Sequence, residues 1–264
     1  MKNLKKIFAA VLCLVLVFGL ASCGSKEEDH LARIKKAGKL VIATEGNWSP
    51  WTFHDEKDQL TGMDIELGKA LAKALGVEAE FQETDWDSIL AGVKAGRFDM
   101  ACNGVGYTEE RAQTYSFSTP YVYTHKVLVV GKDNEDIKTL EDLAGKTTAN
   151  SPSSTYAAIA EQYGATVTSV STLTETMMLL EQGRVDATVN AQVSVEDYLK
   201  QHPDAPIKVV QVLDGDPVAI PMPQGDDSAS LVEAVNKALD DMRKSGELSD
   251  LSIKYFGLDM TENN

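Results

Sequence analysis

One short segment combines a helix start with a cation that does not suit that position. Thr108 is a favourable N-cap residue, and Glu109 and Glu110 follow in the first turn, where carboxylates complement the positive end of the helix dipole. Arg111 opposes that dipole, so it needs a negative partner, either a neighbouring glutamate or an anion from outside the chain. Its planar guanidinium suits a carboxylate. The segment therefore predicts either a surface ion pair or a binding site for a small carboxylate.

Other chemically active residue types do not form a catalytic or metal-binding pattern. The histidines lack metal-ligand spacing, and we expect each at the surface: His30, His54, His125 and His202. A G-x-S-x-G motif is absent, and Gly104-Val105-Gly106 lacks the rest of a dinucleotide fingerprint. We therefore expect a protein that is not an enzyme and that needs no cofactor or metal.

The N-terminus has the pattern of an export signal that ends in a lipidation site. Three lysines precede an uncharged run over residues 7–21, which is shorter than the roughly 20 residues of a membrane-spanning helix. Leu20-Ala21-Ser22-Cys23 then matches the bacterial lipobox. We predict a signal peptide over 1–22, a lipid on Cys23 that anchors the protein to the cell membrane, and a polar tether over 23–30. The alternative is an ordinary cleavage site with a chance cysteine.

Composition excludes some partners and favours two domains. The chain has 264 residues, of which 43% are hydrophobic, enough for two cores of moderate size. Without the signal's three lysines, 22 of the 25 basic residues remain against 40 acidic ones, a net charge of about −18. Such a surface does not suit nucleic acid. Cys102 is the one cysteine outside the signal and anchor, so it has no disulfide partner within the chain.

Hydrophobic periodicity predicts alternating strands and helices in the first half of the chain. Lys39 to Thr44 predicts a strand, whereas Glu45 to Trp51 predicts an irregular loop because it contains Gly, Ser and Pro. Apolar residues at helical spacing predict a helix over Ile65 to Leu75. A strand over 77–81 and a second helix over 85–96 follow. The order of elements is typical of an α/β protein.

The second half of the chain repeats this order. Gly96-Arg97-Phe98-Asp99 enters a strand after helix, glycine, strand and helix, and Gly183-Arg184-Val185-Asp186 follows the same elements at nearly equal spacing. We therefore predict two α/β lobes with mostly parallel sheets. Ligands of such sheets bind at the carboxyl ends of strands, near Glu45 to Trp51, Asn103 to Arg111, and Asn190-Ala191.

Two β-rich segments link the lobes in this interpretation. Residues 121–130 lead from the first lobe to the second, and residues 207–220 lead back. An amphipathic helix within 230–256 then caps the first lobe. The predicted boundaries are 31–122 plus 219–264 for lobe 1, 125–216 for lobe 2, and hinges near 122–125 and 216–219.

Several motifs together resemble one family. They are Gln59-Leu60-Thr61-Gly62-Met63-Asp64, Thr84-Asp85-Trp86-Asp87, Arg97-Phe98-Asp99, Thr108-Glu109-Glu110-Arg111, Phe117-Ser118-Thr119-Pro120-Tyr121 and Lys254-Tyr255-Phe256-Gly257. From about Leu31 to Leu258 the chain resembles the extracytoplasmic solute-binding proteins of ABC transporters for polar amino acids, which include the histidine, glutamine and cystine binders. The resemblance implies a two-lobed periplasmic-binding-protein-like fold of type II, with two crossover strands.

The resemblance also assigns roles in a cleft. Arg111 stands where the family clamps the ligand α-carboxylate, and Glu45 where some members hold a side-chain cation. Aromatic and apolar walls correspond to Trp48, Trp51 and Trp86, with a core position as the alternative for Trp51. Second-lobe contacts correspond to Ser154 and Thr155. The strand-end loops add a further group of candidate site residues: Asn103, Gly104, Gly106, Asn190 and Ala191.

Two positions depart from the family pattern. Gly106 stands where Ser or Thr is frequent, and Ala191 stands where an Asp usually holds the α-ammonium. Asn190 offers an amide oxygen instead, but a neutral acceptor gives a weaker bond than a carboxylate. We therefore expect weakened selectivity for a free α-amino group.

The resemblance implies a function without catalysis. We expect a monomeric, lipid-anchored binding protein that closes on an amino acid or derivative and delivers it to the permease subunits of an ABC importer. A sensory or surface lipoprotein without transport is one alternative. A periplasmic dehydratase on the same fold is another, although Ala191 removes one candidate acid.

Overall fold

The computed structural model describes residues 29–263. Its polypeptide forms two α/β lobes, as the repeated order of elements predicts. The predicted signal peptide over 1–22 and residues 23–28 of the predicted tether, with the proposed lipidation site Cys23, lie outside the described residues.

The first lobe is built on a parallel three-stranded sheet. Its elements in chain order are α1 (His30–Ala37), β1 (Lys39–Thr44), β2 (Asn47–Trp48), β3 (Thr52–His54), β4 (Leu60–Thr61), α2 (Met63–Leu75), β5 (Glu78–Glu83), α3 (Trp86–Lys94), β6 (Met100–Ala101), α4 (Glu109–Ala112) and β7 (Tyr115–Phe117). β1 lies at the centre of the sheet, parallel to β5 and β6. The carboxyl ends of β1 and β6 therefore meet at one edge, where the candidate loops begin.

The loop over 45–51 is more regular than its composition predicts. Asn47 and Trp48 form β2, which pairs with β3 through Trp48 and Thr52, and β4 completes a small antiparallel sheet. The prediction of an irregular loop was wrong for these two residues because their pairing with β3 overrides the turn formers. The pairing fixes the backbone that carries Trp48.

The second lobe is built on a mixed five-stranded sheet. The remaining elements are β8 (Val122–Gly131), a 3-10 turn (Leu140–Leu143), β9 (Thr147–Asn150), α5 (Thr155–Gln162), β10 (Thr166–Ser169), α6 (Leu173–Glu181), β11 (Ala187–Ala191), α7 (Gln192–Gln201), β12 (Ile207–Val218), β13 (Pro221–Pro223), a second 3-10 turn (Asp226–Ser228), α8 (Ala229–Ser245) and α9 (Glu247–Phe256). The sheet order is β10-β9-β11-β8-β12. β10, β9 and β11 are parallel, and β8 is antiparallel to both its neighbours.

The segments expected to link the lobes form the long strands β8 and β12. They pair with each other from Val122 opposite Val218 to Gly131 opposite Ile207, with Thr124 opposite Asp216. The register shifts between Val212 and Gly215. Such an irregularity re-aims side chains locally, and here it lies next to the carboxylate of Asp216.

The repeated Asp has the same structural role in both lobes. Asp99 accepts a hydrogen bond from the Val41 amide at 2.8 Å, and its own amide donates to the Val41 carbonyl at 2.9 Å. Asp186 accepts from the Thr147 amide at 2.7 Å, and its amide donates to the Thr147 carbonyl at 2.9 Å. Each aspartate ties the entry of one strand to the start of its parallel neighbour, which explains why the tetrads recur.

The C-terminal helices cover the first lobe. α8 buries the predicted apolar face against the core that also contains residues of α1 and α2; this face consists of Leu231, Val235, Ala238, Leu239 and Met242. Over residues 29–263, no helix has the length and apolar character that crossing a membrane requires.

His30 corrects the expectation that every histidine lies at the surface. It is 4% exposed, and its ring nitrogens lie 2.8 Å from Asp99 Oδ1 and 3.2 Å from Ser228 Oγ. Because it begins α1, the polar segment expected over 23–30 does not extend through His30. The other three histidines are exposed. Cys102 is buried and free.

Candidate functional site

A cleft between the lobes brings together most of the candidate residues. The lining contains Glu45, Trp48, Trp86, Gly104, Gly106, Arg111, Ser154, Thr155 and Asn190 from the sequence predictions. It also contains residues that sequence reasoning missed: Thr124, Lys126, Asn150, Ser151, Tyr156, Ser171, Thr172, Leu173, Thr176, Asp216 and Val218. Trp51, Asn103 and Ala191 do not line it.

Arg111 lies at the floor of this cleft on the one-turn helix α4. Thr108 is the N-cap, and its hydroxyl oxygen accepts from the Arg111 amide at 3.1 Å. The guanidinium donates to the carbonyl oxygens of Gly106 at 3.0 Å and Ser153 at 3.3 Å. The structure gives it no ion pair with a carboxylate within residues 29–263. Of the two partners considered from the sequence, the arrangement favours an external anion.

Burial and neighbouring groups set the electrostatics of Arg111. Burial lowers the pKa of the guanidinium, whereas Tyr156, Tyr115, Glu110 and Asp216 raise it. Its Cζ lies 5.3 Å from the centre of the Trp86 ring, within the range of a cation–π contact. An arginine stays charged under these conditions because its ordinary pKa lies far above neutral pH. The cleft floor therefore carries a fixed positive charge.

Trp48 and Trp51 form a stacked pair, but they have different roles. Their ring centres are 5.6 Å apart, and Trp51 is fully buried against Phe256 of α9 at 4.7 Å. Trp51 therefore takes the alternative core position and supports Trp48, which faces the cleft. Gly104 completes this wall. A Cβ there would lie 2.7 Å from Trp48, and the backbone φ is +57°, so both space and conformation require glycine.

Gly104 is held from below by a buried carboxylate that the sequence analysis did not single out. Asp64 accepts from the Gly104 amide at 2.6 Å and from the Tyr121 hydroxyl at 2.7 Å. Burial raises the pKa of Asp64 to about 7, while the hydrogen bonds from Gly104 and Tyr121 lower it. Asp64 thereby links α2, the floor loop and the residue before β8.

Gly106 leaves room for a side chain. A Cβ there would meet no atom within 4 Å. Its carbonyl oxygen accepts from Arg111, as described above. The structure therefore has space for a Ser or Thr side chain at position 106, and crowding does not require glycine there.

Glu45 follows β1 and faces the cleft, with Asn103 behind it. Asn103 is fully buried and donates from its amide to Glu45 Oε2 at 2.6 Å, while its oxygen accepts from the Glu45 amide at 2.8 Å. Burial raises the pKa of Glu45 to about 7; the Asn103 hydrogen bond lowers it, and Asp85 and Asp87 raise it further. The sequence predicted Asn103 as a residue of the binding site. In the structure it does not line the cleft, and it positions Glu45 instead.

Ser154 and Thr155 present the start of α5 to the cleft. Ser154 is the N-cap: its hydroxyl oxygen accepts from the Ala157 amide at 3.1 Å, and the hydroxyl donates to the Ser151 carbonyl at 2.7 Å. The hydroxyl of Ser154 is thus used within lobe 2. The positive end of α5 favours an anion in the cleft.

Asn190 and Ala191 end β11 and differ in exposure to the cleft. The Asn190 side-chain oxygen accepts from the Ala191 amide at 2.9 Å, which occupies part of its acceptor capacity. Ala191 is fully buried and lies opposite Lys126 of β8 in the sheet register. The expected role of Ala191 as a lining residue was wrong because its Cβ packs into the core.

Some missed residues had a usable signal. Asn150 ends β9, which parallels β1 in the repeat, so the strand-end rule already predicts a site position there. Thr172 opens α6 in a capping box with Glu175, a pattern readable from the sequence. Lys126 and Asp216 lie within the crossing strands, and their cleft-facing orientation follows from the register.

The lobes contact each other across the cleft. Asp87 of α3 accepts from the Ser153 amide at 3.3 Å and also from the Ser153 hydroxyl. Arg111 donates to the Ser153 carbonyl, as described above. These bonds join residues of α3 and α4 to the segment that precedes α5, so the lobes lie close together.

The two-lobed fold and the cleft define a class of protein, a binding protein for a small anionic or zwitterionic solute. Residues 40–258 match the sequence profile of the bacterial extracellular solute-binding proteins, family 3, so the chain belongs to that family. It is an amino-acid-binding protein of the ABC transporter type.

A curated relative extends this comparison over the whole length. The chain is 38% identical over 270 residues to the L-cystine-binding protein TcyA of Bacillus subtilis (strain 168), covering 98% of this chain and 100% of that protein. Homologues of this kind are extracytoplasmic binding proteins.

Solved structures show the same fold. An ancestral arginine-binding protein bound to arginine has a TM-score of 0.78 and 37% identity, over 83% of this chain and 99% of that one. The L-cystine solute receptor of Neisseria gonorrhoeae, in the unliganded open conformation, has a TM-score of 0.59 at 37% identity, over 89% and 99%. At equal identity the bound structure superposes better, which agrees with the contacts between the lobes seen here.

Proposed function

We propose that this chain is the lipid-anchored binding component of an ABC importer, and that it captures one zwitterionic amino acid between its lobes. The observation that carries the proposal is Arg111, a charged guanidinium at the cleft floor without a carboxylate partner among residues 29–263. A ligand α-carboxylate supplies that partner. The positive end of α5 favours the same anion from the second lobe.

Hinge closure follows from this arrangement. The ligand contacts groups on both lobes, so it stabilises the closed form more than the open one. β8 and β12 are the connections about which the lobes move, with bending at the predicted hinges near 122–125 and 216–219. The closed form then presents both lobes together to a membrane permease.

A carboxylate in the cleft favours a ligand with a second cationic nitrogen. Glu45 lines the cleft together with the indole rings of Trp48 and Trp86, and a carboxylate with aromatic faces attracts a cation. An arginine guanidinium and the second ammonium of cystine share this chemistry. The relatives that bind arginine and L-cystine support the same class of ligand.

A thermal-shift series on the wild-type protein tests the proposal. We expect L-arginine or L-cystine to raise the melting temperature more than L-glutamine, whose distal amide is neutral. Comparison of L-arginine with L-cystine shows whether the site prefers a guanidinium or a second ammonium. Absence of any shift with all three amino acids would contradict the proposed function.

The lipid anchor is a separate part of the proposal. It rests on the lipobox pattern and on the sequence of the uncharged run before Cys23. In bacterial cells we expect the wild-type protein in the membrane fraction, and Cys23→Ser in the soluble fraction with unchanged ligand binding. Mass spectrometry that finds an unmodified mature N-terminus would contradict the anchor.

Two alternatives remain distinguishable from transport. A sensory lipoprotein would bind the same ligand but would not lie beside permease and ATPase genes. A dehydratase needs a positioned acid, and Glu45 is an acid in the cleft; its hydrogen bonds with Asn103 hold it for binding. Turnover of a bound ligand, measured by mass spectrometry after incubation, separates catalysis from binding.

A further inference from the structure

The cleft contains two carboxylates, and they differ in position. Among residues 29–263, the acids that line it are Glu45 and Asp216. Glu45 lies with Trp48, is hydrogen-bonded to Asn103, and responds to the charges of Asp85 and Asp87. Asp216 lies on β12, at the edge of the five-stranded sheet.

Asp216 is held toward the cleft by its strand and by a cation. It lies opposite Thr124 in the register of β12 and β8, just after the register shift that follows Val212. Lys126, two residues further along β8, forms an ion pair with Asp216 Oδ2. The side chains of Lys126 and Asp216 are 12% and 31% exposed, so the pair is partly shielded from water. The structure gives Oδ1 no hydrogen bond or ion pair within the described chain.

Asp216 also lies near Arg111. Arg111 and Asp216 together line both the cleft and an adjoining cavity that Glu45 does not line, and the Asp216 carboxylate raises the pKa of the Arg111 guanidinium. Arg111, Lys126 and Asp216 line the same wall together with Ser154 and Thr155. In an amino acid the carboxylate and the ammonium are bonded to one carbon. An acceptor for the ammonium must therefore lie beside the cation that binds the carboxylate.

Other acceptors at this end are weaker. The end of β11 provides Ala191, which is buried and has no polar side chain, and Asn190, whose amide oxygen already accepts from the Ala191 amide. A charged acceptor forms hydrogen bonds that are about twice as strong as those of a neutral one. Asp216 has both the charge and a free oxygen.

We propose that Asp216 accepts the α-ammonium of the bound amino acid, while Lys126 fixes the orientation of its carboxylate. This inference rests on the proposed function and names the residue that recognises the amino end. Because Asp216 lies in a strand that crosses between the lobes, the ammonium contact also ties ligand binding to the predicted hinge.

The test compares Asp216→Asn with Asp214→Asn. Asp214 is an exposed acid of the same strand that does not line the cleft. Calorimetry uses L-arginine, L-cystine and L-glutamine. L-arginine and L-glutamine are each compared with the analogue that lacks only the α-amino group, guanidinopentanoic acid and glutaramic acid. Thermal unfolding of each ligand-free variant confirms that it folds.

We expect the wild-type protein and Asp214→Asn to bind an amino acid more tightly than its deamino analogue. Asp216→Asn should weaken binding of the amino acid at least tenfold and leave binding of the analogue within about threefold, so the preference disappears. If Asp216 only neutralises Lys126, the variant instead keeps the preference. That result overturns the inference and leaves the proposed function intact.

If the wild-type protein binds none of the three amino acids, the proposed function is overturned, and this inference with it. The two failures are distinguishable because one is seen in the wild-type protein and the other only in the variant.

Discussion

At the scale of single residues, burial affects the ionisation of a cation and of an acid in the cleft differently. Arg111 stays charged in spite of burial, because the ordinary pKa of its guanidinium is so high. Burial instead raises the pKa of Glu45 to about 7, so this carboxyl changes charge near neutral pH. Arg111 therefore binds an anion at any ordinary pH, whereas Glu45 attracts a cation only when it is ionised.

The pH dependence of binding tests the role of Glu45. Below about pH 7 the folded protein keeps Glu45 protonated, and a neutral carboxyl attracts a distal cation weakly. We expect calorimetric affinity for L-arginine to rise between about pH 6 and about pH 8, by up to tenfold per pH unit below the pKa, and then to level. Affinity for L-glutamine should stay nearly constant.

Glu45→Gln is the matched variant for this prediction. It should bind L-arginine more weakly at about pH 8 and remove the pH dependence. An L-arginine affinity that is independent of pH in the wild-type protein would show that Glu45 does not meet a ligand cation.

At the scale of elements, the sequence predicted the framework well because local patterns determine it. The face of α8 and the capping of α3 and α4 follow from spacing and from good capping residues. The repeated Asp99 and Asp186 ties explain why both lobes are built alike. The sheet of β2, β3 and β4 was not predictable in this way, since it depends on pairing across turns.

The site was predicted less completely for a similar reason. Residues in the loops after strands, such as Glu45 and Gly106, were found from the strand-end rule or the resemblance. Lys126 and Asp216 were not, because their orientation depends on the register between β8 and β12 and on its irregularity. Trp51 and Asn103 lie behind the lining residues: Trp51 stacks on Trp48, and both Trp51 and Asn103 are fully buried.

Loss of the Asp186 tie should lower the stability of the second lobe. Asp186 Oδ2 accepts from the Thr147 amide at 2.7 Å and the Thr147 hydroxyl at 2.8 Å. Asp186→Ala removes these hydrogen bonds and should lower the free energy of unfolding, as measured in urea titrations. We expect a loss of about 1.5 kcal/mol, the lower end of the range for hydrogen bonds to charged groups, because the carboxylate is exposed.

Asp133→Ala is the control for that experiment. Asp133 is also an exposed aspartate of the second lobe, and surface changes of this kind stay within about 0.5 kcal/mol. Equal stability of the two variants would mean that the repeated aspartate does not stabilise the strand entry.

At the scale of the whole molecule, contacts between the lobes influence the balance of open and closed forms. Asp87 and Ser153 join the lobes, and the pair does not line the cleft. A contact made only in the closed form shifts the population without choosing among ligands. It is therefore separable from the groups that recognise the ligand.

At about pH 8.5, where Glu45 is ionised with or without the nearby charge of Asp87, Asp87→Ala should weaken binding of every ligand by the same factor. Loss of hydrogen bonds worth about 0.5–1.5 kcal/mol corresponds to roughly twofold to tenfold weaker binding. Small-angle scattering should also show a larger radius of gyration for the ligand-free variant. A loss confined to one amino acid would indicate a ligand contact instead of a contact between lobes.

The central claim is that the cleft binds an amino acid through its carboxylate on Arg111. Calorimetry of the wild-type protein, Arg111→Ala and Arg184→Ala with L-arginine and L-cystine tests it most directly; Arg184 is an exposed arginine of the second lobe outside the cleft. Charge-assisted hydrogen bonds of about 1.5–3 kcal/mol predict at least a tenfold loss for Arg111→Ala, with unchanged thermal unfolding, and wild-type affinity for Arg184→Ala. Equal affinity of Arg111→Ala and the wild-type protein would contradict the account.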